Sequence, residues 1–217
     1  MENFNKEEDH FCTFYLVRHG ETEFNVAGKF QGHMDSSLTE LGIQQAEDLA
    51  LKLKDLDFDF IFSSDLLRAK RTAEILKLDR DLMVESSELL RERSYGHFEG
   101  RSQSEYREKF KDKIEQLKNL SDKERWNFKA SDDIETDEEI SKRFLIKIRE
   151  IALAYPGKRV LVVSHGGIIR TFLLKIGFAN RDNLRAGSIK NSAYVKFVSD
   201  GITFIVNETD GINKLEE

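Results

Sequence analysis

Two histidines in the chain each follow a short apolar run and precede a glycine. His19 stands between Arg18 and Gly20, and His165 is followed by Gly166. An imidazole can serve as a nucleophile, an acid–base group or a metal ligand, and a guanidinium beside it favours an anion over a cation. The glycines would let a ligand approach the backbone closely. The pattern predicts a phosphate-binding site, because a zinc site needs three or four ligands and Arg18 would oppose the cation.

Two further segments add charged groups near the ends of predicted elements. Arg68 follows the run 63–65 (Ser-Ser-Asp) at the start of a predicted helix, whose N-terminus favours anions. We therefore expect Arg68 to be a second phosphate clamp. Glu92 lies with Tyr95 in the turn-rich stretch 91–100, outside helical periodicity. Because a glutamate among arginines is commonly a surface ion pair, the residues alone leave the role of Glu92 open.

Short β-prone runs alternate along the chain with helical patterns, and these elements must position the charged groups. The predicted strands cover 12–17, 58–62 and 159–163, with a hairpin of 193–198 and 202–206. The predicted helices cover 38–56, 65–77, 102–118, 136–155 and a segment after 167, with N-caps at Thr39, Ser102 and Thr136. The alternation predicts an α/β fold, a mostly parallel central sheet with helices on both faces. Such sheets bind ligands beyond the carboxyl ends of their strands, where His19 and His165 lie.

Length and composition indicate one domain over residues 1–217, with a flexible tail over 1–10 and a lid insertion over 101–135. The 34 Lys and Arg against 40 Asp and Glu give a net charge of −6, which argues against a nucleic-acid partner. No apolar run approaches the ~20 residues that span a bilayer, and the polar N-terminus does not resemble a secretory signal. We therefore expect a cytoplasmic protein without a membrane partner. The one cysteine, Cys12, excludes an intramolecular disulfide and is expected in the core.

The motifs, in this order, resemble those of the histidine phosphatase superfamily, in its phosphoglycerate-mutase-like branch. They are similar to motifs of the fructose-2,6-bisphosphatase-like and broad-specificity phosphatases, and they extend from about residue 13 to 198. The residues that carry the resemblance are Arg18-His19-Gly20-Glu21-Thr22, Asn25, Gln31-Gly32, Leu38-Thr39-Glu40-Leu41-Gly42, Ser63-Ser64-Asp65, Arg68-Ala69, Thr72-Ala73, Glu92, Tyr95-Gly96, Glu99-Gly100 and Ser164-His165-Gly166-Gly167.

The resemblance implies that His19 is the nucleophile and forms a phosphohistidine, and that Glu92 donates a proton to the leaving alkoxide. It also implies that Arg18, Arg68 and His165 surround the transferring phosphoryl group. The positive charges of Arg18 and Arg68 would keep the imidazole of His19 neutral. Phosphate- or pocket-binding roles are implied for Asn25, Gln31, Gly32, Tyr95 and Gly166. The substrate would be a small phosphate ester, with no metal and no other cofactor, and a homodimer is left open.

Two departures from the family pattern favour a phosphatase over a phosphoglycerate mutase. Gln103 stands where the mutases carry a substrate-binding lysine, and Arg107 and Arg125 are isolated where they carry an arginine pair. Asp132 and Asp133 put negative charge near the predicted lid, which should repel very anionic substrates. The prediction is a metal-independent phosphomonoesterase that acts through a phosphohistidine on small phosphorylated metabolites. A phosphoglycerate mutase and a non-catalytic phosphate-binding member are the alternatives.

Overall fold

A six-stranded sheet lies at the centre of this computed structural model, which describes residues 10–215. Its strands are β1 (Cys12–Arg18), β2 (Phe60–Ser64), β3 (Val84–Ser87), β4 (Arg159–Ser164), β5 (Ile189–Ser199) and β6 (Phe204–Ile212). The strand order is β3-β2-β4-β1-β5-β6. The first four strands pair in parallel, whereas β5 pairs antiparallel with β1 and β6 pairs antiparallel with β5. The predicted mostly parallel sheet is therefore confirmed.

Helices cover both faces of this sheet, as predicted. They are α1 (Glu23–Val26), α2 (Glu40–Lys52), α3 (Leu67–Lys77), α4 (Gln103–Lys109), α5 (Lys111–Gln116), α6 (Asp122–Trp126), α7 (Asp137–Ala154) and α8 (Gly166–Lys175). The predicted N-caps are present, since the side chains of Thr39, Ser102 and Thr136 each accept a hydrogen bond from a backbone N–H of the first turn. None of the helices described in residues 10–215 combines the length and apolar character needed to cross a membrane.

The central strand β1 is buried on both faces, which explains why its sequence shows no alternation of apolar and polar residues. Phe14 and Leu16 belong to the core beneath α7 and α8, where Phe14 stacks on Phe197 of β5 with the ring centroids 4.7 Å apart. Tyr15 and Val17 point to the opposite core, beneath α2 and α3. Successive side chains of a strand alternate between its two faces, so the side chains of residues 12–17 are divided between two cores.

Two elements differ from the prediction. The strand β3 was not predicted, because it is short, lies at the edge of the sheet and carries mostly polar or exposed residues. The single helix predicted over 102–118 is broken at Phe110, where α4 ends and α5 begins. Phe110 is buried with Phe98, Ala130 and Ile134 in a small separate core, so the break serves tertiary packing. Of the tail predicted over 1–10, all but His10 lies outside the described residues.

Candidate active site

The carboxyl ends of β1, β2 and β4 meet beside a cavity of about 650 Å³. Arg18 and His19 reach it from the end of β1, and Arg68 reaches it from the first turn after β2. The His19 backbone N–H donates to the Ser164 carbonyl at 3.0 Å, which aligns the ends of β1 and β4. His165 follows directly, and its ring centroid lies 5.1 Å from that of His19 in an edge-to-face contact. The structure thus brings four of the predicted site residues together.

The hydrogen bond made by His19 assigns its tautomer. Nδ1 lies 2.7 Å from the carbonyl oxygen of Gly20, and a carbonyl can only accept, so Nδ1 carries the hydrogen and donates. In a neutral ring Nε2 then holds the lone pair, and His19 lines the cavity. This tautomer suits a nucleophile whose Nε2 attacks a group bound in the cavity.

Burial and positive charge both keep the two imidazoles neutral. Burial lowers the pKa of His19 well below 6.5, and the guanidiniums of Arg68 and Arg18 lower it further. Burial likewise lowers the pKa of His165 well below 6.5, with Arg68 as the next largest cause. The sequence predicted the influence of the arginines, but not that burial would be the larger cause.

These lowered pKa values predict that the protein loses stability as the pH falls below about 6.5. In that range the unfolded histidines bind protons while the folded ones stay neutral, so protonation favours the unfolded state. Between pH 6.5 and 5.5 each histidine contributes a loss of about 1 kcal/mol. Urea denaturation at both pH values should show that His165→Asn loses about 1 kcal/mol less than the wild type. An equal loss in both proteins would contradict the buried neutral state of His165.

Backbone carbonyls hold the two arginines in place. Arg18 donates from Nη1 to the Ile189 carbonyl at 2.5 Å. Arg68 donates from Nη2 to the Gly32 carbonyl at 2.8 Å and from Nη1 to Met34 O at 2.7 Å. Within residues 10–215, the buried Nε atoms of Arg18 and Arg68 and both ring nitrogens of His165 have no hydrogen-bond partner. Buried donors without partners are costly, so this cluster is suited to bind an anion.

The N-terminus of α3 does not bind the anion that the sequence analysis expected there. The helix has no local side-chain cap, and the Asp35 carboxylate instead accepts from the Leu67 N–H at 2.8 Å and, more weakly, from the Arg68 N–H at 3.4 Å. Asp35 also pairs with the Arg68 guanidinium at 2.8 Å. A carboxylate from the chain itself therefore occupies this helix end, and only the side chain of Arg68 serves the cavity.

Glu92 lines the cavity and is held by two backbone donors. Oε1 accepts from the Arg93 N–H and Oε2 from the Gly167 N–H, both at 2.8 Å. A Cβ at position 167 would lie 2.5 Å from Oε1 of Glu92, so a side chain there would displace this carboxylate. His33, which was not expected to be catalytic, donates from Nε2 to the Glu92 carbonyl at 3.0 Å and so supports the same loop. Glu92 is thus placed by its surroundings, unlike a surface ion pair.

Asn25 is oriented by a residue that the sequence analysis missed. Its Oδ1 accepts from the backbone N–H and the hydroxyl of Thr22, at 3.2 and 3.0 Å, and from Nδ2 of Asn191 at 3.2 Å. Because these donors occupy the oxygen, the amide N–H groups of Asn25 are available to the cavity that it lines. Asn191 also donates to the His19 carbonyl at 3.2 Å. No local sequence signal identifies Asn191, which lies in β5.

The remaining predicted pocket residues also line the cavity, with different supports. Gln31 is buried and its Oε1 accepts from the Ser36 hydroxyl at 3.1 Å. Tyr95 stacks on Phe30 with the ring centroids 4.1 Å apart, and burial raises the pKa of its phenol. Gly32 and Gly166 line the cavity too.

The segment 101–135, predicted as a lid, forms one wall of the cavity. Gln103 and Arg107 lie one turn apart on α4, and both line the cavity. Asp132 and Asp133 do not line it, and Asp133 instead accepts from the backbone N–H and Nδ1 of His97, at 2.8 and 2.7 Å. The two carboxylates expected to repel anionic substrates thus lie outside the cavity lining, whereas the isolated Arg107 adds positive charge to it.

The fold and this arrangement of imidazoles and guanidiniums define an α/β protein with a positively charged cavity at the carboxyl edge of its sheet. A family model of the histidine phosphatase superfamily (branch 1) matches residues 14–209. The chain belongs to this superfamily and is an enzyme of that class. The resemblance carried by its motifs is confirmed.

Two similar proteins and one similar solved structure support this membership. The uncharacterized phosphatase PhoE of Bacillus subtilis (strain 168) is 35% identical over 161 residues, which cover 74% of this chain and 75% of that protein. The metal-independent phosphoserine phosphatase of Arabidopsis thaliana is 32% identical over 197 residues, covering 87% of this chain and 76% of that protein. The crystal structure of phosphoglycerate mutase from Bacillus anthracis str. Sterne matches with a TM-score of 0.79 at 27% identity and covers 96% of both chains.

Proposed function

We propose that the protein is a metal-independent phosphomonoesterase that acts on small phosphorylated metabolites through a phosphohistidine intermediate. The observation that carries this proposal is the neutral His19, with Nδ1 donating to Gly20, beside two arginines whose buried Nε atoms have no partner within residues 10–215. A nucleophile and the charges that a transferring phosphoryl group needs are thus combined in one cavity.

In the first step, Nε2 of His19 attacks the phosphorus of the ester. The new N–P bond forms as the bond between phosphorus and the ester oxygen breaks, and protonated Glu92 gives its proton to the departing alkoxide. The guanidiniums of Arg18 and Arg68 and the imidazole of His165 bind the phosphoryl oxygens, where charge resides in the transition state. The Nδ1–H bond to the Gly20 carbonyl holds the ring in place as it gains positive character.

In the second step, water attacks the phosphorus of the phosphohistidine. Glu92, which is now a carboxylate, accepts a proton from that water. The N–P bond breaks, inorganic phosphate is released, and His19 returns to its neutral form. The same carboxyl group therefore acts first as acid and then as base. Positive charge comes from arginines throughout, and the two steps require no metal.

One observation favours hydrolysis over a mutase reaction. Gln103, at the position where the mutases of the family carry lysine, contributes an uncharged amide to the cavity wall. The similar proteins include both phosphatases and a mutase, so they do not separate the two reactions.

We expect phosphate release from a panel of phosphomonoesters in excess EDTA, because arginines supply the charge. The panel holds p-nitrophenyl phosphate, phosphoglycerates and sugar phosphates, each assayed with and without added Mg²⁺. Equal rates in both conditions would support the proposal. Activity that appears only with Mg²⁺ would contradict metal independence, and conversion of 3-phosphoglycerate to 2-phosphoglycerate without phosphate release would indicate the mutase.

A further inference from the structure

Arg143 lies on the second turn of α7, outside the lining of the cavity, and contacts the segment that carries Glu92. Its Nη1 donates to the carbonyls of Leu89 and Arg91 at 3.1 and 2.6 Å. Its Nη2 donates to the Glu92 carbonyl at 2.8 Å. Nε and Nη2 also donate to Oε1 and Oε2 of Glu135, both at 2.9 Å. A guanidinium has five N–H groups, so each of them has a partner.

The carboxylate of Glu135 holds the guanidinium of Arg143 in a bidentate ion pair. Both side chains are largely buried, with 17% of Arg143 and 23% of Glu135 exposed. Oε2 of Glu135 also accepts from the backbone N–H of Ser94 at 2.8 Å, and the Glu135 N–H donates to the Ser94 carbonyl at 3.1 Å. Bidentate pairs of this kind fix the direction as well as the position of the guanidinium, so its remaining N–H groups point at defined carbonyls.

The peptide group between Glu92 and Arg93 connects Arg143 to the carboxyl group of Glu92. Its carbonyl accepts from Nη2 of Arg143 and from Nε2 of His33, at 2.8 and 3.0 Å. Its N–H, at the opposite side of the same planar group, donates to Oε1 of Glu92 at 2.8 Å. Rotation of this plane would therefore break all three hydrogen bonds together. The two donors to the carbonyl thus determine where the N–H points and, through it, where the carboxyl group lies.

The other oxygen of this carboxyl group is held by a different element. Oε2 accepts from the Gly167 N–H at 2.8 Å, in the first turn of α8. Without Arg143, this one bond would remain secure and the carboxyl group would pivot about it. We propose that Arg143 is a positioning residue that orients the carboxyl group of Glu92 toward the leaving-group oxygen. This inference rests on the proposed phosphatase function, in which Glu92 donates the proton.

The positive charge of Arg143 also acts on His165. It lowers the pKa of that imidazole, although burial, Arg68 and His19 are larger causes. A variant without the charge would therefore alter more than the position of Glu92. Arg143→Lys keeps the charge but replaces a planar fork of five N–H groups with three N–H groups on a single nitrogen. The lysine variant thus separates the geometry of the contact from its charge.

The test compares two esters of similar size that differ in their leaving group, p-nitrophenyl phosphate and benzyl phosphate. The benzyl alkoxide needs a proton as it departs, whereas nitrophenolate does not. Arg143→Met should lower kcat/KM about 10- to 100-fold for benzyl phosphate and less than about threefold for p-nitrophenyl phosphate, because a misplaced acid loses part of its catalytic effect. Arg143→Lys should show the same preference with a smaller loss for benzyl phosphate, about three- to tenfold.

A double variant tests whether Arg143 acts through Glu92. In the Glu92→Gln background, Arg143→Met should change the ratio of the two kcat/KM values by less than about twofold, because no acid is left to position. The matched control is Arg149→Met, which replaces an exposed arginine of the same helix outside the cavity and should leave both values unchanged.

Equal losses for both esters in Arg143→Met would overturn the inference, since they would make Arg143 a structural residue. Wild-type rates in Arg143→Lys would overturn it as well, because charge alone would then suffice. If Glu92→Gln itself did not discriminate between the esters, the proposed acid role of Glu92 would fail and the inference with it.

His33→Phe provides a milder variant in case Arg143→Met does not unfold cooperatively in urea. This substitution removes the other donor to the Glu92 carbonyl and keeps an aromatic ring at a half-buried position. It should shift the ratio of the two kcat/KM values in the same direction by about threefold, the effect of one hydrogen bond. An unchanged ratio in both His33→Phe and Arg143→Lys would overturn the inference.

Discussion

Replacing His19 with alanine is expected to lower kcat for phosphate release by about four orders of magnitude or more. The reason is that the substitution removes the atom that forms the N–P bond, and no other group in the cavity can replace a covalent nucleophile. His19 and His165 are the two buried histidines among the described residues, and their rings lie in edge-to-face contact. The measurement is phosphate release from p-nitrophenyl phosphate under saturating conditions.

The phosphoenzyme itself provides the second readout. Incubation with a labelled ester followed by alkaline denaturation, which preserves phosphohistidine, should trap label on the wild type but not on His19→Ala. The matched control is His10→Ala, because His10 is exposed and lies outside the cavity. Full labelling of His19→Ala would mean that another residue is the nucleophile, and the proposed mechanism would then be wrong.

Local sequence was sufficient to predict the elements that carry the main site residues. The run from Cys12 to Val17 is apolar on both faces, so it indicated a central strand with His19 at its carboxyl end. The run 159–163 placed His165 in the same way on the neighbouring strand, β4. These predictions succeeded because a buried strand and the residue that follows it are contiguous in sequence.

Contacts between distant parts of the chain could not be predicted in this way. Asn191 contacts the His19 carbonyl across 172 residues, and Asp35 contacts the start of α3 across 32 residues that include α2 and β2. Arg107 was not predicted to line the cavity, because its position there depends on the packing of α4. In each case the missing information was the path of a loop or the packing of a helix, which short-range periodicity does not determine.

Replacing Glu92 with glutamine is expected to discriminate between good and poor leaving groups. For alkyl phosphates, kcat/KM should fall by about 10²- to 10⁴-fold, because the alkoxide must be protonated as it departs and glutamine has no proton to give. For p-nitrophenyl phosphate the fall should be less than about tenfold, since nitrophenolate leaves without protonation. This parameter covers the steps up to formation of the phosphohistidine, so it isolates the acid role of Glu92.

The nitrophenyl ester also tests whether the substitution disturbs the loop. In the wild type both oxygens of Glu92 accept backbone N–H bonds, and the amide of glutamine can accept only one of them. A displaced loop would lower kcat/KM for both kinds of ester, whereas loss of the acid lowers it for alkyl phosphates. A burst of nitrophenolate is expected as well, because water attack on the phosphohistidine then lacks its base. The matched control is Glu88→Gln, a substitution at an exposed position in the same segment. An equal loss of kcat/KM for all esters in Glu92→Gln would show that Glu92 positions the loop without donating the proton.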